Sequence, residues 1–310
     1  MTGSVQWSAW RCSLATPSKV ALKHHSLNER TVLLIEVRDD QGARWTEAAP
    51  LPGWSGDSLQ ENELALALLQ RNTPAQALEQ PLPMALSTAV GLLTIPPARQ
   101  PIKPVESNAL LLNDDDLNAT LLGSSCVKMK VGQQSLTQDI QRIKDLLTRL
   151  SGNALLRLDA NQSWTYDDVK QLSSALGDDP RIDYIEEPLQ SELNYNRWSD
   201  ISTLNFAHDE RLATANFAPN IHCKALVLKP TILGWQRTLD YYHWAQQHNK
   251  AITLSSSFES KIALNLMSNL ALHWQLNTVQ GLATDQYFNN TMQTTGDLPL
   301  ANLTHIERLL

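Results

Sequence analysis

From about residue 105 the chain alternates short apolar runs with longer amphipathic segments. Four apolar runs of strand length stand out: Ala154–Leu158, Ile182–Ile185, Ala225–Leu228 and Ala251–Leu254. Short strands that alternate with helices indicate a parallel sheet, and about 180 residues of this pattern suit a β/α barrel. We therefore predict a parallel, barrel-forming sheet in this part of the chain.

Two of the amphipathic segments carry clear helix start signals. Ser135 and Gln138 form a capping box, and Thr165 is followed three residues later by Asp168. The second segment ends at Gly177, a residue typical of a helix C-terminus. In the first segment the apolar residues fall on one helix face: Leu136, Ile140, Ile143, Leu147 and Leu150.

The first hundred residues have a different pattern. Thr31–Val37 is a β-branched apolar run, 39–42 (Asp-Asp-Gln-Gly) is a turn, and Arg44–Ala48 is a plausible return strand. A helix capped by Ser58 follows, with an apolar face expected from three leucines: Leu64, Leu68 and Leu69. This region is predicted to be a small α+β domain.

A proline-rich stretch from Ile95 to Pro101 separates the two patterns and reads as a linker, because proline resists both helix and central strand. We predict an α+β capping domain over residues 1–98, with a C-terminal contribution from about 288–310. The β/α barrel domain is predicted over residues 99–287.

Charged residues follow the apolar runs at intervals of roughly 20 to 30 residues. They are Lys128, Lys130, Asp159, Glu186, Asp209 and Lys229. Taken singly, each acid is more often a helix cap or a loop residue. Their common position after strands is not explained in that way, because parallel barrel strands direct their C-terminal ends at one mouth. The six side chains are therefore expected to converge.

These residue types suit metal-assisted acid/base chemistry. Three carboxylates without His or Cys are hard oxygen ligands, which Mg²⁺ prefers. Lys128 and Lys130 are two apart on one strand, so they share a face, and a partly desolvated lysine can serve as a base. An isolated Lys-x-Lys is usually a solvated surface pair, but here the apolar flanks and the downstream acids favour a site.

Five motifs carry a family resemblance: 128–130 (Lys-Met-Lys), 157–161 (Arg-Leu-Asp-Ala-Asn), 185–188 (Ile-Glu-Glu-Pro), 208–210 (His-Asp-Glu) and 228–230 (Leu-Lys-Pro). Together they resemble the muconate-lactonizing branch of the enolase superfamily. Within that branch the chain is similar to the o-succinylbenzoate synthases, because residues 45–54 and 255–260 also match their pattern. Thr46 departs from it, since the family usually has glycine there.

The resemblance implies a fold and a ligand set. The fold is an enolase-type modified TIM barrel with an N-terminal α+β cap. Asp159, Glu186 and Asp209 are expected to bind Mg²⁺. Lys130 is expected to remove the proton α to the substrate carboxylate, and Lys229 to stabilise the resulting enediolate from the opposite side.

The resemblance also implies supporting residues. Lys128 is expected to tune Lys130, Arg157 and Asn161 to act behind the ligands or on the substrate carboxylate, and Ser255, Ser256 and Ser257 to bind the succinyl group. Two further acids, Glu187 and Glu210, each stand one residue past a ligand. Residues adjacent on a strand face opposite sides, so both are left out of the ligand set.

The implied reaction is Mg²⁺-dependent dehydration of 2-succinyl-6-hydroxy-2,4-cyclohexadiene-1-carboxylate to 2-succinylbenzoate in menaquinone biosynthesis. Racemisation of N-acylamino acids, dipeptide epimerisation and lactone formation use the same set of residues and remain open. Residues 281–285 lack the Asp-x-Asp motif of dipeptide epimerases, which argues against dipeptide epimerisation. A non-catalytic barrel is disfavoured because acids, base and opposing lysine are all retained.

Composition limits the classes of molecule that this protein is expected to bind. A net charge of -7 offers no basic surface for nucleic acid, and no apolar run approaches the length of a membrane span. The expected partner is a small carboxylate substrate, and the protein is expected to be a cytoplasmic monomer or small homo-oligomer. Three widely separated cysteines, Cys12, Cys126 and Cys223, support neither a disulfide framework nor a zinc site.

Overall fold

The structure is a computed structural model of the 310-residue chain. It describes residues 5–21, 26–40, 42–70, 72–97, 105–111, 117–177, 179–285 and 306–310. The centre of the predicted linker and most of the predicted C-terminal contribution to the cap lie outside these ranges. The domain boundaries therefore stay predictions.

The N-terminal sheet is antiparallel, with the strand order β11-β1-β2-β3. Its strands are β1 (Gln6–Ala21), β2 (Ser26–Asp39), β3 (Gly42–Ala48) and β11 (Ile306–Arg308). The predicted hairpin is confirmed, since Ile35 pairs with Thr46 and Asp39 with Gly42. One face packs on three helices: α1 (Leu59–Leu66), α2 (Pro74–Ala77) and α3 (Met84–Thr94).

The predicted apolar face of the first helix is wrong in part. Leu64 is 65% and Leu68 82% exposed, whereas Leu66 and Leu69 are buried. The helix ends at Leu66, so residues beyond it no longer follow helical spacing. The buried face of the helix is formed by Asn62 and Leu66, with the polar Asn62 at a position where an apolar residue is expected. Asn62 is satisfied there because it bonds to Asp57, the Ser58 carbonyl and the Leu86 amide.

The second sheet is parallel and has seven strands in the order β10-β9-β8-β7-β6-β5-β4. The strands are β4 (Ala109–Leu111), β5 (Cys126–Lys130), β6 (Leu155–Asp159), β7 (Ile182–Glu186), β8 (Phe206–His208), β9 (Ala225–Leu228) and β10 (Ala251–Leu254). Each strand lies beside the one that precedes it in sequence. This is the predicted α/β architecture.

Helices connect the strands and cover the sheet. They are α4 (Ala119–Leu122), α5 (Leu136–Arg149), α6 (Tyr166–Leu176), α7 (Trp198–Ile201), α8 (Pro230–Leu233), α9 (Trp235–Gln247) and α10 (Lys261–His273). Both predicted capping boxes, at Ser135 and Thr165, are present. None of the helices in the described part of the chain combines the length and apolar character that crossing a bilayer demands.

Residues Gln280 and Gly281 join the two edges of the parallel sheet. Isolated bridges connect Ser107 to Gln280 and Ser255 to Gly281. The Gln280 amide donates to the Glu106 carbonyl at 2.7 Å, and the Gly281 amide donates to the Leu254 carbonyl at 2.8 Å. This segment takes the place of a further strand and closes the barrel.

The cap rests on the barrel mainly through α3. Gly91 faces the indole of Trp235 so closely that an added Cβ would lie 2.1 Å from its Cδ2 atom. Thr88 Oγ1 donates to the Pro230 carbonyl at 2.6 Å, across the same interface. Within the cap, Thr46 is fully buried and its hydroxyl donates to the Ala89 carbonyl of α3 at 2.8 Å, so this departure from the family pattern makes a contact of its own.

Candidate active site

The charged residues predicted to converge lie at neighbouring strand ends. Lys130, Asp159 and Glu186 are the last residues of β5, β6 and β7, and they pair in register across the sheet. Asp209 follows β8 directly, and Lys229 follows β9 directly. Because all five strands are parallel, the five side chains stand at one end of the barrel. The two lysines flank the three acids, one on each side.

Two lysines are ion-paired to the acids. Lys128 Nζ lies 2.9 Å from Asp159 Oδ2 and 2.5 Å from Glu186 Oε2. Lys229 Nζ lies 2.5 Å from Asp209 Oδ2. Lys130 Nζ, by contrast, has no carboxylate within ion-pair distance among the described residues. Of the three lysines, Lys130 is therefore the one whose amine forms no ion pair with an acid among the described residues.

Burial and charge shift the pKa values of this cluster in opposite directions. Burial raises the pKa of Glu186 to about 7, against the attraction of Lys128 and together with repulsion from Asp159 and Asp209. Burial opposes the charge of Lys128, but attraction to Asp159 and Glu186 outweighs it and raises the lysine pKa. The three acids thus repel one another in a dehydrated site, and a cation between them relieves that repulsion.

The donor set fits a divalent cation. Asp159 Oδ1 is buried without a hydrogen-bond partner among the described residues, and the carboxylates are hard oxygen ligands of the kind Mg²⁺ prefers. The described residues hold no group of three His, Cys, Asp or Glu side chains already arranged for a metal, and Lys128 lies within ion-pair distance of both Asp159 and Glu186. Its ammonium supplies positive charge between these two acids.

A cavity of about 950 Å³, its open mouth included, lies over these residues. Its polar lining includes Lys128, Lys130 and Lys229 on the barrel side. The cap contributes Leu51 and Trp54, and the Trp54 ring lies 5.7 Å from Lys229 Nζ. The space is large enough for a small organic substrate, with apolar walls and cationic groups at its base.

All three predicted substrate-binding serines line the cavity. Ser255, Ser256 and Ser257 are buried in the loop after β10. Ser256 Oγ bonds to Glu259 and to Thr284, at 2.9 and 2.6 Å. Ser257 Oγ has no partner among the described residues, which leaves its hydroxyl available to a ligand.

Arg157 does not line the cavity, so of the two positions expected for it the structure agrees with the one behind the acids and not with contact to the substrate carboxylate. It points into the barrel interior, where Nε donates to Asp183 Oδ2 at 2.9 Å and Nη1 donates to the Val279 carbonyl at 2.8 Å. Its guanidinium also lies 4.7 Å from the centroid of the Tyr184 ring. Two residues nearer the N-terminus than Asp159, it fills the floor of the barrel beneath the acids.

Asn161 and Glu210 form a pair at the edge of the site. Asn161 lines the cavity, and its Nδ2 donates to Glu210 Oε1 at 2.6 Å. Glu210 is buried, and burial, together with repulsion from Asp209, raises its pKa to about 8. The expectation that Glu210 faces away is wrong: β8 ends at His208 and a 3₁₀ helix (Glu210–Ala213) begins, so strand alternation no longer applies.

Glu187 lies behind the acids rather than among them. Its carboxylate is fully buried and accepts from Tyr195 Oη and from the backbone amides of Asp209 and Arg211. It also lies 3.2 Å from His208 Nδ1. These contacts connect the end of β7 to the segment that carries Asp209.

Comparison with known proteins identifies the family. Residues 117–302 match the model of the enolase C-terminal domain-like family, and residues 5–94 match that of the MenC N-terminal domain. The o-succinylbenzoate synthase of Pasteurella multocida is 30% identical over 306 residues, covering 92% of this chain and 90% of that protein. This chain belongs to the o-succinylbenzoate synthase family. The family member from Yersinia enterocolitica is also 30% identical, over 89% of this chain and 88% of that protein.

Solved structures share the fold of the o-succinylbenzoate synthase family. The synthase of Thermosynechococcus elongatus, solved with magnesium in its active site, has a TM-score of 0.70 and 22% identity, with 93% of this chain and 95% of that one covered. The L-Ala-D/L-Glu epimerase of Bacillus subtilis has a TM-score of 0.74 and 17% identity, with 94% and 92% covered. The same fold is therefore shared by proteins that are named for different reactions.

Proposed function

We propose that this protein is a Mg²⁺-dependent o-succinylbenzoate synthase, which dehydrates 2-succinyl-6-hydroxy-2,4-cyclohexadiene-1-carboxylate to 2-succinylbenzoate. The observation that carries the proposal is the arrangement of Lys130 and Lys229 on the two sides of three strand-end acids. Family membership and the similarity to synthases along nearly the whole chain support the choice of substrate.

The proposed ligands of the metal are Asp159, Glu186 and Asp209. When bound, Mg²⁺ supplies Lewis-acid stabilisation of the negative charge that develops on the substrate carboxylate. Lys128 is ion-paired to Asp159 and Glu186, and Lys229 to Asp209, so the metal would share these carboxylates with the two lysines. Lys128 then remains as a buried cation beside the acids.

Lys130 is the proposed general base and acid. Its neutral amine removes the proton from the ring carbon that bears the carboxylate, and the electron pair enters the enediolate of the substrate. The resulting ammonium gives the same proton to the hydroxyl on the adjacent carbon as the carbon–oxygen bond breaks. Water leaves and the ring becomes aromatic, so Lys130 returns to its neutral form.

Lys229 stabilises the negative charge from the other side. Its ammonium is fixed by Asp209 at 2.5 Å and lies over the Trp54 ring. A preorganised cation in a dehydrated site stabilises developing charge without reorganisation at the moment of reaction. Ser255, Ser256 and Ser257 are the proposed contacts of the succinyl chain, with the free hydroxyl of Ser257 as the leading donor.

The test is turnover of the cyclohexadiene carboxylate, followed by the ultraviolet absorbance of the aromatic product. Product is expected with Mg²⁺, and its formation is expected to stop in EDTA. Lys130→Ala is expected to lose activity, whereas Lys170→Ala, which removes an exposed lysine of α6, is expected to keep it. Absence of product with Mg²⁺, alongside α-proton exchange of an N-acylamino acid, would replace this proposal with a racemase function.

A further inference from the structure

A buried arginine of the cap holds both walls of the cavity. Arg30, on β2, is 1% exposed. Its Nη1 donates to the Pro50 carbonyl at 2.6 Å and its Nη2 donates to the Ala49 carbonyl. Its Nε donates to the Phe258 carbonyl at 3.2 Å. One guanidinium thus contacts two cap residues and one barrel residue that is 228 positions away in sequence.

Each of these carbonyls belongs to a segment that forms the cavity. Ala49 and Pro50 lead directly into Leu51 and Trp54, the cap wall. Phe258 follows the three serines and lines the cavity itself. Because the guanidinium is planar and rigid, its three hydrogen bonds fix the separation of the two walls.

The charge of Arg30 is not matched by a direct ion pair, since no described carboxylate lies within ion-pair distance of it. The nearest acids in electrostatic terms are Glu259 and Glu47. Both hold the same barrel loop: Glu259 accepts from the Ser257 amide at 2.6 Å, and Glu47 accepts from the Ser260 amide at 3.0 Å. Glu47 also accepts from the Ser260 hydroxyl, so this cap residue fixes the start of α10.

The barrel loop needs such support. Phe258 has a φ of +62°, a left-handed conformation that bulky residues rarely adopt. Strained residues of this kind persist only where the surroundings fix them. The Phe258 carbonyl is held by Arg30, and its amide donates to Ser256 Oγ at 2.9 Å. Loss of the Arg30 contact therefore removes one of the bonds that hold the loop in the geometry that lines the cavity.

We propose that Arg30 is a positioning residue that sets the spacing between the cap wall and the serine loop, and so determines how tightly the substrate is held. The proposal rests on the proposed function. Without Arg30, substrate binding must itself order the loop, which weakens binding. Once the substrate is bound, the lysines and acids occupy their usual positions, because none of them contacts Arg30.

The experiment compares Arg30→Met and Arg30→Lys with Arg38→Met, which removes an arginine of the same strand whose side chain is 57% exposed. Arg30→Met is expected to raise KM at least tenfold and to change kcat less than threefold. Arg30→Lys keeps the charge and reaches fewer of the three carbonyls, so it is expected to lie between. Arg38→Met is expected to match the wild type.

Two further readouts separate positioning from loss of structure. Binding of Mn²⁺, measured by electron paramagnetic resonance, is expected to be unchanged in every variant. Hydrogen exchange is expected to rise in a peptide spanning residues 255–260 of Arg30→Met and to stay unchanged in one spanning 126–130. If the wild type does not turn over the cyclohexadiene, the proposed function fails, and the exchange measurement alone decides the role of Arg30.

Three outcomes would overturn the role of Arg30. The first is a KM within twofold of wild type in folded Arg30→Met, and the second is unchanged exchange over residues 255–260. The third applies if Arg30→Met does not fold, in which case Arg30→Lys becomes the test. A wild-type KM with wild-type exchange in Arg30→Lys would then overturn the proposal. A raised KM with faster exchange over the loop would support it.

Discussion

Replacing Lys128 with methionine tests whether the three acids form a cation site. Methionine keeps the length and the apolar stem of lysine but removes the ammonium that lies 2.9 Å from Asp159 and 2.5 Å from Glu186. The side chain of Lys128 is only 12% exposed and that of Glu186 only 2% exposed, so water screens the lost interaction poorly. The variant leaves buried acids without their compensating charge.

The expected loss of stability follows from this burial. Removing one partner of a buried ion pair costs about 3–5 kcal/mol. An unfolding entropy of about 2.1 cal/mol/K per residue gives about 0.65 kcal/mol/K for the chain, so each kcal/mol lowers Tm by about 1.5 °C. Lys128→Met is therefore expected to melt about 5–8 °C below the wild type when EDTA removes divalent cations.

Magnesium is expected to reverse part of this loss. A ligand at a hundred times its Kd stabilises the folded state by about 2.7 kcal/mol. Because Lys128 repels a cation between the acids, the variant is expected to bind Mg²⁺ more tightly than the wild type. The rise in Tm between EDTA and saturating MgCl₂ is thus expected to be larger in Lys128→Met.

Differential scanning calorimetry in the two buffers measures this difference. The matched control is Lys224→Met, because Lys224 also pairs with an acid, Asp183 at 2.7 Å, but stands just before the start of β9, away from the mouth. Its loss of Tm is expected to be the same with and without Mg²⁺. An equal loss for Lys128→Met in both buffers would refute the reasoning that the acids form a cation site.

Three other predictions concern separate parts of the molecule. Lys130→Ala is expected to lower kcat by about 10²–10⁴ in steady-state assays while Mn²⁺ binding is retained; lost Mn²⁺ binding would contradict its role as base. Burial raises the pKa of Glu47 to about 7 from 4.5, so stability is expected to fall as pH rises between those values. Urea unfolding of Glu47→Gln, which does not titrate, is expected to show a flatter pH profile. Gly91→Ala places a methyl group against Trp235 and is expected to lower the free energy of unfolding, measured by urea unfolding, by about 1–3 kcal/mol. Unchanged stability would mean that the indole shifts freely.

The strand ends of the site were predictable because local pattern determines them. Lys130, Asp159 and Glu186 each close a short apolar run, and in a parallel sheet such runs end at one edge. Capping boxes at Ser135 and Thr165 gave helix starts for the same reason, since the signal spans four residues. The hairpin of the cap was likewise visible from its turn.

Other features depend on contacts that local sequence does not encode. Glu210 joins the site because a 3₁₀ helix interrupts the strand at that point, and Arg157 faces the floor because Asp183 lies 2.9 Å away. Arg30 meets Phe258 across 228 positions of sequence. A pattern of polar and apolar residues predicts which face of a strand a side chain occupies, but not which residue it contacts there.

The closure of the barrel by Gln280 and Gly281 has a consequence for biosynthesis. Until these residues leave the ribosome, the outer edges of β4 and β10 are without the partners they have in the finished fold. The strand Ile306–Arg308, which completes the cap sheet, emerges still later. Open sheet edges promote pairing between chains, so a nascent chain of this protein is exposed to aggregation from the completion of β10 until residues 280 and 281 have folded into place.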